Sequence, residues 1–74
     1  MARKYATPID RPDILVSNAG GFGFFSIWGE SRRGRQWLKR NVEGLGRDGV
    51  AYCDDRRMAL DIAEGAISAG LKVA

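Results

Sequence analysis

The sequence predicts a small α+β fold: a two-layer sandwich of order β-β-α-β-α-β, with an N-terminal aromatic hairpin and two helices on the sheet. Three observations predict it. A short strand-like segment at 14–17, apolar over Ile14 to Val16, and an aromatic run at 22–28 flank Asn18-Ala19-Gly20-Gly21, a turn composition that tolerates positive φ. Residues 56–69 space their apolar side chains as a helix does, with Ala59, Ile62, Ala63, Ala66 and Ile67 in one stripe and Leu60 at its margin. A chain of 74 residues buries only about 60–65% of its unfolded surface, which leaves room for a single core.

The elements follow in order. Residues 1–12, with Pro8, Pro12 and mixed charge, lack periodicity and read as an N-terminal arm; residues 13–74 form the domain. The first strand is expected at 14–17 and the second at 22–28, ended by Gly29 and Glu30. Ser31 is a suitable N-cap for a helix over 32–42, in which Leu38 and Val42 lie four apart beside Trp37. Gly34 weakens that helix by about 1 kcal/mol relative to alanine, so the helix needs tertiary contacts. A glycine-rich connection over 43–49 brings Leu45 back toward the core, and a third strand covers 50–53. Asp54 or Asp55 then caps the helix over 56–69, and Gly70 fits the left-handed position after it, with Leu71 as the hydrophobic contact. Residues 71–73 supply a last strand, so that the closing strand–helix–strand unit is a right-handed parallel crossover.

Composition removes several chemistries. The chain has no His, which excludes Ser-His and Cys-His dyads, His-ligated zinc and the commonest neutral-pH base. Cys53 stands alone, so neither an internal disulfide nor a multi-cysteine metal site is available; it reads as a small buried hydrophobe. No catalytic residue, cofactor or metal is expected, and the protein is not expected to be an enzyme. No apolar run approaches the roughly 20 residues of a membrane span. The start Met1-Ala2-Arg3-Lys4-Tyr5 has no apolar stretch behind it, and a cytoplasmic location is expected.

Charge is unevenly distributed. Residues 1–40 carry eight basic and three acidic side chains, whereas residues 41–74 carry four basic and six acidic ones. Arg32, Arg33 and Arg35, with Lys39 and Arg40, form the densest basic segment. On a helix Arg32, Arg35 and Lys39 share one side while Arg33 and Arg40 diverge, giving a charged surface that contacts phosphates or simply stays solvated. Asp54 and Asp55 are adjacent at a helix start, where they point apart and serve capping rather than metal binding.

The aromatic strand is the other candidate surface. Phe22, Phe24, Ser26 and Trp28 alternate to one face, and Phe25 with Ile27 to the other. If both helices cover one side, large apolar groups remain on the opposite one, which points to a protein partner or to a homodimer. Packing by the N-terminal arm and Tyr5 is the competing explanation. Within the string Gly20–Ile27, the Gly-Phe-Gly-Phe kernel looks like the first ribonucleoprotein motif of RNA-recognition and cold-shock domains, whose strand aromatics stack bases. Gly20 replaces that motif's leading basic residue, and neither domain's order of elements fits around it. The dinucleotide-binding pattern fails at Ser26, where a third glycine is required, and no Gly-Lys-Ser/Thr sequence is present.

Phe22 to Trp28, Gly34-Arg35-Gln36-Trp37-Leu38 with Asn41-Val42, and Asp61-Ile62-Ala63-Glu64-Gly65-Ala66 with Gly70-Leu71-Lys72-Val73 together carry a whole-chain resemblance. The pattern resembles short uncharacterised proteins of proteobacterial and phage genomes. In size and α+β build such proteins also look like anti-CRISPR inhibitors, which act mostly by occupying a surface of a CRISPR effector complex. The resemblance implies a phage or mobile-element inhibitor of a host complex, acting in the host cytoplasm by protein–protein contact through the acidic C-terminal half or the aromatic strand, whose candidate contact residues are Phe22, Phe24 and Trp28. A basic single-stranded nucleic-acid-binding module, using the strand aromatics and the arginine-rich helix, is the alternative. The protein partner is placed first because Gly20, not a basic residue, immediately precedes the kernel and the C-terminal half is acidic.

Overall fold

The computed structural model describes residues 11–18 and 24–74. The arm expected over 1–12 lies outside the described residues except for Arg11 and Pro12, and so does Phe22. Strand β1 (Ile14–Ser17) pairs antiparallel with β2 (Phe25–Gly29), which pairs antiparallel with β3 (Ala51–Cys53), in the order β1-β2-β3. Helices α1 (Arg32–Asn41) and α2 (Arg56–Ser68) complete a small α+β fold.

The register divides the sheet into two faces. Val16 pairs with Ile27, Ile27 with Ala51, and Phe25 with Cys53, so all five share a face with Ile14. That face meets Leu38 of α1 and Ala59 and Ala66 of α2 in one core, with Trp37, Val42, Leu45 and Ile62 packed at its edge. Both helices therefore lie on one side of the sheet. Ile67, expected in the core stripe of α2, is instead 59% exposed, and Leu60 also faces out. The small residues at 59 and 66 sit deepest because they bring the helix axis close to the strands, which turns Ile67 past the contact.

Local signals end the helices as the sequence implies. Ser31 accepts a hydrogen bond from the Gly34 amide (3.0 Å), and Asp55 accepts one from Arg57 (2.8 Å). After α2, Gly70 adopts φ 89°, its amide bonds the Ile67 carbonyl, and the Leu71 amide bonds that of Ala66. These are the two bonds of a Schellman motif, with Leu71 buried behind them.

The expected last strand is reduced to one parallel bridge between Val73 and Ile14. Residues 72–74 run beside β1 on the edge away from β2, with Ile14 donating to Lys72 O (3.0 Å) and Val16 to Ala74 O (2.9 Å). Helix α2 thus carries the chain from one edge of the sheet to the other and touches all three strands on the way. Among the described residues no helix is long and apolar enough to cross a membrane.

Asp13 ties these pieces together. Its carboxylate accepts from the Ser31 hydroxyl (2.6 Å) and from the Lys72 amide (3.0 Å), and Arg33 Nε lies 3.6 Å away. Its carbonyl accepts from Glu30, and its amide donates to Lys72 O, both at 2.8 Å. The Ser31 hydrogen bond, then the Lys72 amide and the nearby cations, hold the Asp13 carboxyl below its ordinary value of 3.8. A depressed carboxylate contributes stability above its unfolded pKa and loses it as pH falls through the folded value. Below pH 3.8, Asp13→Asn should therefore lose less of its remaining stability than the wild type does. Urea denaturation at pH 3 and pH 6 checks this, and parallel loss in both proteins would contradict it.

Candidate binding face

The side of the sheet away from the helices carries Leu15 opposite Trp28, and Ser26 opposite both Ser17 and Tyr52. Phe24, one residue before β2, continues the same alternation. Phe24 is 57% and Tyr52 63% exposed, while Leu15 and Trp28 are half-buried. Tyr52 and Trp28 are diagonal neighbours across the strand pair, about 7–8 Å apart in such geometry, and Phe24 lies diagonally beyond Tyr52. Three aromatic rings thus follow one another along the open face.

At the Trp28 end β2 runs past its pairing with β3, and a groove of about 500 Å³ opens there. Trp28 and Gly29 line it together with Arg35 and Lys39 from α1, and residues 45–50 form the opposite wall. That wall is a tight turn: Gly46 donates to Val50 O and Gly49 to Gly46 O, both at 2.9 Å, and Gly49 takes φ 80°. Arg47 sits within this turn. Asp48 holds it from the side, accepting from the Val50 amide (3.0 Å) and from the Tyr52 hydroxyl (2.7 Å). The Tyr52 hydrogen bond, then the Val50 amide, lower the Asp48 pKa; the same bond raises that of Tyr52, so at neutral pH the tyrosine donates to an anion.

The basic residues singled out from the sequence separate in space. Arg35 and Lys39 reach the Trp28 groove, and Arg35 Nη1 also donates to the Glu30 carbonyl (3.1 Å). Arg33 is drawn to Asp13 and donates to Gly70 O (2.8 Å), a structural role linking α1 to the C-terminus of α2. Arg40 lines a shallow depression with Gln36 and Lys39, and Arg32 is exposed at the start of α1. Arg47 was not among the sequence candidates. Its signal was the flanking Gly46 and Gly49, which mark a turn returning the chain to the sheet beside Trp28.

Apart from Asp48 in the groove wall, four further acidic groups lie elsewhere. Asp61 and Glu64 are exposed on α2, in the helix layer, and Asp54 and Asp55 stand where β3 passes into α2. Cys53 is buried; desolvation, and then the Asp54 and Asp55 charges, push its thiol pKa up, away from nucleophilic use. Among the described residues no group of three His, Cys, Asp or Glu could hold a metal. A second cavity, about 550 Å³, lies on the helix side between Val16, Phe25 and the first turns of α2, with Arg56 the one charged group of its lining among the described residues.

The fold and the open face define a small α+β domain with a cation-edged aromatic sheet surface. No family model matches the chain, and no curated protein or solved structure matches it either.

Proposed function

We propose that the chain is a non-enzymatic binding module that works through the open face of its sheet, with single-stranded nucleic acid as its ligand. The observation that carries this reading is a groove at the end of β2 in which Trp28 meets Arg35 and Lys39 from the helix layer and Arg47 from the turn, next to the open face that bears Tyr52 and Phe24. Exposed aromatics offer every base a stacking surface, and cations beside them follow the backbone. The acidity of residues 41–74 weighs less against it than in the linear sequence, because Asp61 and Glu64 belong to α2 on the other side of the sheet.

Binding of a labelled (dT)12 oligonucleotide at 50 and 200 mM salt tests it. Three neutralised phosphates give a log–log slope near −2 on a single strand, so affinity should fall roughly twentyfold over that range. Absence of binding at 50 mM salt would overturn the reading.

A second reading, inhibition of a host protein complex with a CRISPR effector as the candidate, is favoured by one further observation. Phe24 and Tyr52, on the same face as Trp28 and its partner Leu15, expose apolar surface of a kind that monomers seldom leave unused. It predicts capture of a purified effector that is lost in a Phe24→Ala/Trp28→Ala variant and has only a modest salt slope. The same surface also suits self-association, which sedimentation at micromolar concentration measures. A cytoplasmic setting, the host's if the chain is phage-borne, accompanies either reading.

A further inference from the structure

We infer that the groove beside Trp28 is a single-nucleotide subsite, in which one base stacks on the Trp28 ring while its flanking phosphates lie against Arg35, Lys39 and Arg47. This rests on the nucleic-acid reading above and adds where on the face the strand is anchored. A stacking platform alone is sequence-tolerant and has no preferred starting point. The groove differs from the rest of the face in three respects.

First, it is a concavity, and its volume of about 500 Å³ falls within the range of small-ligand sites, about 300–1,000 Å³. Second, three of the four charged groups in its described lining, Arg35, Lys39 and Arg47, are cations. Among the described residues, no carboxylate lies within 4.0 Å of Arg35, Lys39 or Arg47. The one anion in the lining, Asp48, has both oxygens engaged, by the Val50 amide and the Tyr52 hydroxyl. Third, the turn that carries Arg47 is already fixed by its own hydrogen bonds and by Asp48, so little ordering cost falls on the ligand. Asp48 is in this scheme a positioning residue. It joins the cationic wall to Tyr52, the next ring along the face, and so sets the spacing between the anchored base and its neighbour.

The test uses the full chain with Trp37→Phe, so that Trp28 is the only tryptophan and its fluorescence reports the groove. The probes are thymidine 5′-monophosphate, (dT)12 and polyglutamate. Saturable quenching by both the mononucleotide and (dT)12 is expected, with polyglutamate a poor competitor. Arg47→Glu, on an exposed turn, should weaken (dT)12 at least tenfold without changing the urea midpoint. With a labelled (dT)12 as the reporter, since these variants lack the reporting tryptophan, Trp28→Ala should lose between about 5-fold and 150-fold, the span of one stacked base, and Trp28→Phe should retain most of the affinity. Asp48→Asn should weaken (dT)12 more than the mononucleotide, because it disturbs the spacing and leaves the groove's cations in place.

Oligonucleotide binding that survives Arg47→Glu without quenching, yet is lost in Phe24→Ala/Tyr52→Ala, would overturn the subsite and leave the face reading intact. No binding of (dT)12 at 50 mM salt would remove both. Equal competition by polyglutamate would overturn the nucleotide assignment in favour of an acidic protein segment.

Discussion

Gly34→Ala should destabilise the domain by about 3 kcal/mol or more, although alanine is the better helix former by about 1 kcal/mol. The local gain loses to a collision. A Cβ at Gly34 would run into the carbonyl oxygen of Asp13, with the Asp13 carbonyl carbon 2.8 Å away, and Ile14 Cδ1 3.3 Å away. The obstacle is backbone, and that carbonyl also accepts from Glu30 and Ser31, so α1 cannot retreat without breaking the start of β1. Gly65→Ala is the control: its nearest neighbour is the Trp37 ring at 3.3 Å, which can tilt. Urea denaturation of the two variants should show a large loss for the first and a small change of either sign for the second. An unchanged or raised midpoint for Gly34→Ala would mean that α1 does not sit against Asp13.

Ile27→Ala should cost about 3 kcal/mol, within the roughly 2–5 kcal/mol typical of a fully buried isoleucine. Ile27 is 0% exposed in the central strand, flanked by Val16 and Ala51 and roofed by the helices, so the cavity has no solvent route by which to fill. A domain of 74 residues holds on the order of 4–11 kcal/mol in total, so this single truncation removes a large share of it. Ile67→Ala deletes the same atoms from a side chain that is 59% exposed and should cost under about 0.5 kcal/mol. Thermal melts of the pair measure the contrast. Similar losses at both positions would place Ile67 in the core, as helical periodicity alone implies, and would contradict the packing of α2 described above.

The contrast between Ile27 and Ile67 shows which kind of information lies in the chain order. Alternation along 25–28 identifies the two faces of β2 without any knowledge of its neighbours, because successive strand residues point to opposite sides. The caps at Ser31 and Asp55 and the turn at Gly70 are equally local, since each satisfies backbone groups within a few residues. The class of fold, the parity of Phe24 and Trp28 and the isolation of Cys53 were therefore readable from residue order.

The rest depends on contacts between residues remote in sequence. Asp13 counts in the sequence as one charge, yet it joins β1, the cap of α1 and the C-terminal segment through a partner 59 positions away. Gly34, a weak helix residue by propensity, is required by a carbonyl from another element. Residues 71–73, with the composition of a strand, make one bridge, Val73 to Ile14, on the β1 edge away from β2. The basic segment 32–40 divides, Arg33 going to Asp13 and Arg35 with Lys39 to Trp28, because helix rotation against the sheet sends neighbouring side chains to different surfaces. Arg47 joins the groove through a turn whose position is set by the pairing of β3 with β2. Periodicity reports what each residue does to its own backbone. Which groups meet across the fold is set by close packing of elements against one another, and that is absent from any short window of the chain.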